Sequence, residues 1–402
     1  MKKFSDVQII YCIPLLSKKS VGGRRWQKFI TELLKDTEIE QCIITSKKWT
    51  SPDDLIDFNC KKKLIKDYFP KNVLFGKTSS VGFSLKFRIW LLLNKLITKG
   101  SPWDRGIYSR FFLKKQLIPL LKSDVRTIVV TSGWPYSWAR ELAKLKTILD
   151  FELAIDFRDA WSQSIRHSMK TTSHSRKKQE QKFEENCVSS SEYIITASQD
   201  LTSYLLKTYP HATNIHTIIN SFDGKANNPE HTFHTKTKKH WTICHIGTVN
   251  PQTTHLWSEF FSAIPDNWSF TFIGNKNLLI KESFEKNSNF KFIERLPEDE
   301  LHKKMKSFDA FIFFKNDNFP NSFPSKFFDY ILLKKPIILL SKEGIVTKEI
   351  KENSIGICGY KTTAKELEIS FYNVCHNFND NYPIQKFSIV SRTKDLKEIF
   401  NI

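Results

Sequence analysis

Residues 317–341, DNFPNSFPSKFFDYILLKKPIILLS, decide how this chain is read. Pro324 sits where a first helical position would fall, with Ser325 and Lys326 behind it, which predicts a helix start. Phe327, Phe328, Ile331 and Leu332 share one face of that helix and would pack against a core. Lys326 and Asp329 lie three apart on a different edge. Lys334, Lys335 and Pro336 then stop the helix, and IILL reads as a short buried strand. A helix N-terminus carries free N–H groups and a partial positive charge, so it suits a phosphate. A carboxylate one turn further in can take a pair of ribose hydroxyls. The pattern points to a nucleotide diphosphate lying across a helix start. An ordinary αβ unit with solvated Lys326 and Asp329 fits the same residues.

The same strand-then-helix rhythm recurs on both sides of this stretch. Upstream lie DAFIFFK (309–315), FKFIERLPEDEL (290–301) with a helix from Pro297, SFTFIGN (269–275) ending in Gly274, and WTICHIGTV (241–249) ending in Gly247 and Thr248. Downstream come a helix, the short strand SIGICGY, and an amphipathic helix in RTKDLKEIFNI. Residues 225–240 are polar and basic without apolar periodicity and read as a linker. Before them VQIIYCIP (7–14) forms a buried strand, and SKKSVGGRRW opens a helix with Gly22 and Gly23 in the turn. A glycine pair there lets the backbone approach a ligand, although it is no dinucleotide fingerprint. QCIIT (41–45), RTIVVTSG (126–133), FELAIDFRDAW (151–161) and YIITAS (193–198) are further strands, while 58–125 reads as irregular, basic and aromatic. Asp156, Arg158 and Asp159 stand at a strand's carboxyl end, where open α/β sheets place ligands. Two such series predict an α/β chain of two Rossmann-like domains facing a cleft. The boundaries are 1–224, 241–385, and a final helix over 386–402 returning to the first domain.

At 402 residues the chain suits two domains, and 40% hydrophobic with 13% aromatic residues is ample for packed cores. The net charge of +20 attracts anions: nucleic acid, anionic lipid or phosphorylated substrates. Seven scattered cysteines without CxxC spacing read as reduced thiols of a cytoplasmic protein. The apolar start is interrupted by Asp6 and Gln8 and reads as a first strand, not a signal peptide. No run approaches the ~18 apolar residues of a spanning helix. In 80–100, SVGFSLKFRIWLLLNKLITKG, the residues Ser84, Arg88, Lys95 and Lys99 share a helical face, with Phe83, Phe87, Trp90, Leu91 and Leu93 over much of the rest. Such a helix suits an anionic membrane surface; a core helix under a loop fits as well. His167, His174, His245 and His255 show no metal spacing, and His245, within a strand, reads as structural.

The motifs DFRDAW, INSFD, HIGTV and the 317–341 stretch, in this order, resemble family 4-like glycosyltransferases of the GT-B fold, over nearly the whole chain. In that family an acidic residue, here Asp329, binds the donor ribose, and a Glu eight positions earlier faces the sugar and phosphate. Here that position is Asn321, and Asp329 stands for a Glu. Ser221 stands where the interdomain turn usually has Gly. The basic residue expected after Gly247 is replaced by Thr248, which shifts phosphate binding toward Lys326 and Arg295. Asp317 has the wrong spacing to replace the missing carboxylate.

The resemblance implies transfer of a sugar from a nucleotide-diphosphate donor to a glycan or lipid-linked acceptor in surface-polysaccharide synthesis, with retention of configuration. It implies donor contacts at Gly247, Thr248, Gly274, Arg295, Ser325, Lys326 and Asp329, catalytic positions Asp159 and Asn321, and an acceptor side at Gly22, Gly23, Arg24, Asp156 and Arg158. No DxD pair stands at a strand end, and neither a metal nor a cofactor beyond the nucleotide sugar is expected. The expected location is cytoplasmic, at the inner face of a membrane. The rivals are a catalytically impaired nucleotide-sugar-binding relative, a sugar-nucleotide epimerase of the same fold, and a basic nucleic-acid-binding protein. The last lacks any RNP, zinc-finger or helix-turn-helix signature.

Overall fold

The computed structural model describes residues 7–17, 20–66, 89, 92–96, 98, 100–101, 104, 106–163, 173–222, 240–249, 253–275, 287–315, 319–359 and 363–402. The chain forms two compact units, Met1–Ile219 with Arg392–Ile402, and Asn220–Ser391. Residues 225–239 of the linker, Asp317 and most of the 80–100 segment lie outside the described residues.

The first unit is built on a seven-stranded parallel sheet of β1 (Val7–Cys12), β2 (Ile39–Ser46), β3 (Lys61–Ile65), β4 (Arg126–Ser132), β5 (Glu152–Phe157), β6 (Tyr193–Thr196) and β7 (Ile215–Thr217), in the order β3-β2-β1-β4-β5-β6-β7. Its central strands are buried on both faces, which is why VQIIYC and RTIVVTS read as near-continuous apolar runs. Ile9 is in register with Gln41 on one side and Ile128 on the other. The strand β3 corrects the reading of 58–125 as irregular. Its sequence, KKKLI, is buried only at its last residue, and lysines on an edge strand discourage further pairing. The helix Val21–Leu33 is capped by Ser20, whose hydroxyl accepts the Gly23 N–H at 2.8 Å. Trp26, Phe29, Ile30 and Leu33 form its buried face.

The second unit carries a six-stranded parallel sheet of β8 (Trp241–Gly247), β9 (Trp268–Gly274), β10 (Phe290–Glu294), β11 (Ala310–Phe314), β12 (Ile337–Leu340) and β13 (Gly356–Gly359). The order is β10-β9-β8-β11-β12-β13, so the direction of winding reverses between β8 and β11. Its core is aromatic: Trp257, Phe260, Phe270, Phe272 and Phe314 pack ring against ring. The final helix, Ile389–Phe400, runs into the first unit, where Lys397 pairs with Asp36 and Arg126 donates to the Phe400 carbonyl at 2.8 Å. The Lys397 hydrogen bond holds the Asp36 carboxyl below its usual range.

The helix in the decisive stretch is Ser325–Ile331, and Pro324 is its extended cap (φ −70°, ψ 148°), not its first residue. Phe327, Phe328 and Ile331 are buried as expected, Leu332 only partly, and Tyr330 joins the buried face.

Candidate functional site

The carboxyl ends of β8 and β11 flank the point where the second sheet reverses its winding, and open α/β sheets take ligands at such points. β8 ends in Gly247 at φ +120°, a backbone conformation that disfavours any side chain. A Cβ there would also lie 2.8 Å from Lys326 Cε and 3.2 Å from Nζ. Glycine at 247 therefore lets the lysine stem pass over the end of the strand. In the neighbouring strand, a Cβ on Gly274 would meet the Gly247 carbonyl at 1.8 Å, so this glycine seats the β8 terminus.

Lys326 is aimed there by the packing of its short helix. Phe327 and Phe328 lock against Phe323 and Phe387. Tyr330 stacks on Phe311 at 4.6 Å, and its buried hydroxyl accepts the Ile246 N–H at 3.1 Å. That bond ties the helix to the last turn of β8 directly beside Gly247.

His245 completes the arrangement. It is 1% exposed, walled by Trp257, Phe272 and Phe314. Nδ1 lies 2.8 Å from the Ile312 carbonyl, which can only accept, so the proton sits on Nδ1. Nε2 is left as the acceptor and receives Lys326 Nζ at 3.1 Å. Burial, and then the Lys326 charge, push the imidazole well below its usual range, so it is neutral. Burial likewise draws the Lys326 ammonium down to about 8, opposed by the Asp329 carboxylate one turn along. Lys326 makes no ion pair among the described residues. The reading of His245 as merely structural missed this contact. Its only signal was a strand histidine whose partner lies 81 residues away.

The other donor candidates spread around this centre. Asp329, Ser325 and Thr248 are exposed, and Asn321 is exposed in the turn before the helix. That turn is fastened by Lys315, which donates to the Phe319 and Pro320 carbonyls, and by the Ile345 N–H on the Pro320 carbonyl at 3.0 Å. Arg295 is exposed just past β10, the edge strand two places from β8.

In the first unit the winding reverses between β1 and β4, and Gly22, Gly133 and Arg158 meet there. Gly23 serves the turn itself, since a Cβ would lie 2.4 Å from the Ser17 carbonyl. Arg24 and Asp159 are half-buried; the Asp159 carbonyl accepts the Tyr136 hydroxyl at 3.1 Å. Tyr136 in turn stacks on Trp161 at 4.3 Å, which fixes the end of the DFRDAW segment. Asp156 requires a correction. Expected on the acceptor side, it is 0% exposed and saturated by Arg25 (3.2 and 3.3 Å), Trp26 Nε1 (2.7 Å) and Ser132 Oγ (2.6 Å). Arg25 also donates to the Ile218 carbonyl at 2.7 Å, tying strand, helix and the end of the unit together. Asp156 is a structural anchor whose oxygens are not open to a ligand.

No family model matches the chain, and the search of curated proteins returned no match. Solved structures do match. The lipopolysaccharide outer core galactosyltransferase WaaB, in its apo form, superposes with a TM-score of 0.60 at 12% identity, over 98% of this chain and 99% of that one. HepE of Anabaena, solved with UDP and glucose, gives 0.58 at 11% identity over 98% and 99%. The UDP-GlcNAc 2-epimerase of Neisseria meningitidis, bound to UDP-GlcNAc, gives 0.52 at 11% over 98% and 100%. At these identities the likeness is one of architecture. With its two parallel Rossmann-like α/β sheets, this chain has the GT-B fold.

Proposed function

We propose that the chain is a glycosyltransferase moving a sugar from a nucleotide-diphosphate donor to a glycan or lipid-linked acceptor in bacterial surface-glycan synthesis. The observation that carries this reading is Lys326. Among the described residues this half-buried ammonium hydrogen-bonds to a neutral histidine and makes no ion pair, which leaves it able to take an anion. It stands over a bare glycine backbone at the switch point, where a diphosphate fits. The helix Ser325–Ile331 has only seven residues, so its end contributes little charge and the phosphate contact falls to Lys326.

In this reading Gly247, Thr248 and Gly274 form the backbone wall, Ser325 and Arg295 assist the phosphates, and Asp329 takes the ribose hydroxyls. Asn321 faces the sugar in place of a carboxylate, and Asp159 serves the acceptor hydroxyl. Lysine-held diphosphate is a stabilised leaving group without a bridging metal. Departure on the face of attack would retain configuration. The structural neighbours, one named for galactosyl transfer and others solved with UDP and glucose or with UDP-GlcNAc, support the reading. The test is Asp329→Ala. A charged hydrogen bond contributes roughly 1.5–3 kcal/mol, so nucleoside-diphosphate affinity should fall about ten- to a hundredfold. Unchanged affinity in calorimetry, with the fold intact, removes the ribose assignment.

The same reading places the protein at the inner face of an anionic membrane. The supporting feature is the helical turn 92–96, where Leu92, Leu93 and Leu96 are 59%, 48% and 76% exposed beside exposed Lys95. Arg88 and the aromatic residues of this segment lie outside the described residues. Flotation with anionic liposomes should show salt-sensitive binding that Leu92→Glu with Leu96→Glu abolishes. Flotation unaffected by the pair removes this turn from the account.

A further inference from the structure

The first unit carries a second unbalanced cation. Arg158 is the first residue past β5, and its guanidinium reaches back across the carboxyl ends of the sheet to the β1–β4 switch point. A Cβ on Gly22 would fall 0.9 Å from Arg158 Nη1. One on Gly133, at φ +55°, would fall 2.2 Å from Nη2 and 2.3 Å from Nε. Both glycines are thus needed to seat the guanidinium, which lies between two backbone segments.

Arg158 has neither a hydrogen bond nor an ion pair among the described residues, and its Nε is buried without an acceptor. Asp156, two residues away, is consumed by Arg25, Trp26 and Ser132. A guanidinium holds five N–H donors in a fixed plane and does not lose its proton. Leaving buried donors unmet is costly, and the group that fits such a fork is a phosphate or carboxylate oxygen pair. A phosphoryl group, with up to two charges, offsets the excess positive charge of the chain better than a carboxylate does.

We propose that Arg158, seated between Gly22 and Gly133, is the receptor for a phosphoryl group. It rests on the glycosyltransferase reading only for the source of that group, which is either the acceptor or the donor diphosphate. Inorganic phosphate is the probe, titrated by calorimetry at constant ionic strength in a Lys326→Ala background, so that the second unit's ammonium is absent. Saturable binding is expected, weakened about tenfold or more by adding Arg158→Gln. Adding Gly22→Ala in place of Arg158→Gln displaces the guanidinium without removing it and should weaken binding alike. Circular dichroism and the melting midpoint serve as the fold control. If Gly22→Ala does not fold, the Arg158→Gln arm decides alone. Failure to saturate, or an unchanged affinity in folded Arg158→Gln protein, overturns the proposal.

A second arm, with Lys326 intact, assigns the source. UDP and GDP affinities unchanged by Arg158→Gln give the phosphoryl group to the acceptor, and affinities weakened tenfold give it to the donor. Either outcome upholds the receptor. Failure of the first arm with nucleotide binding intact leaves the reading of the second unit standing.

Discussion

Replacing Lys326 with alanine is expected to weaken nucleoside-diphosphate binding by roughly 2–5 kcal/mol, the range for losing one partner of a buried charge pair. That is about thirtyfold to a few thousandfold in Kd. Affinity for the bare nucleoside should change less than about twofold, because the lysine answers the phosphate charge and not the base or ribose. The pH dependence carries a second signature. Burial holds the free ammonium near 8. Above that pH the protonated form falls by about tenfold per unit, and diphosphate affinity should fall with it. Lys326→Ala should be weak at every pH and lack this alkaline limb. Equal losses for nucleoside and diphosphate, measured by calorimetry between pH 7 and 9.5, would show that the helix has been disturbed and the charge assignment is wrong.

A comparably large effect is expected in the first unit, on stability instead of binding. Asp156→Ala removes the carboxylate that pairs with buried Arg25 and leaves Trp26 Nε1 and Ser132 without this acceptor. Breaking a buried pair in this way costs about 3–5 kcal/mol. Asp156→Asn, which keeps an acceptor for Trp26 and Ser132, should lose less. Denaturant unfolding followed by tryptophan fluorescence reads both, since Trp26 is at the pair. Nucleoside-diphosphate binding by the second unit should persist under conditions where the fold is intact. An Asp156→Ala protein as stable as the parent would mean that Asp156 is open to solvent or ligand after all.

How much of this was legible in the sequence follows from the range of the interactions involved. The apolar strands announce themselves because parallel strands buried on both faces read as continuous runs, as in VQIIYC and AFIFF. KKKLI does not, because an edge strand is free to carry lysine. Asp156 and Arg158 show the limit within one motif. Both are charged and stand at a strand end, yet one is sealed beneath helix Val21–Leu33 while the other reaches the switch point. Only the sheet register, which sets Asp156 beside Ser132 and Ile195, separates them. Lys326 was visible from its place at a helix start. His245 was not visible as its partner, since nothing local marks a strand histidine whose two nitrogens are committed to Ile312 and Lys326. Gly22 illustrates the same point: a turn glycine suggests room for a ligand, and the structure fills that room with a guanidinium.

The role proposed for the Lys326–Gly247 site is to hold the diphosphate of a nucleotide sugar that the protein spends in transfer. The most direct measurement is mass spectrometry of a panel of UDP-, GDP-, dTDP- and CMP-sugars incubated with the protein and a glycan or lipid-linked acceptor mixture. One diphosphate donor should be converted to free nucleoside diphosphate with a matching mass gain on an acceptor, and Lys326→Ala should suppress both. Conversion of a donor to its epimer without release of the nucleotide would contradict sugar transfer on this fold. No nucleotide sugar consumed, with tight and salt-sensitive binding of random oligonucleotides instead, would contradict the site as well.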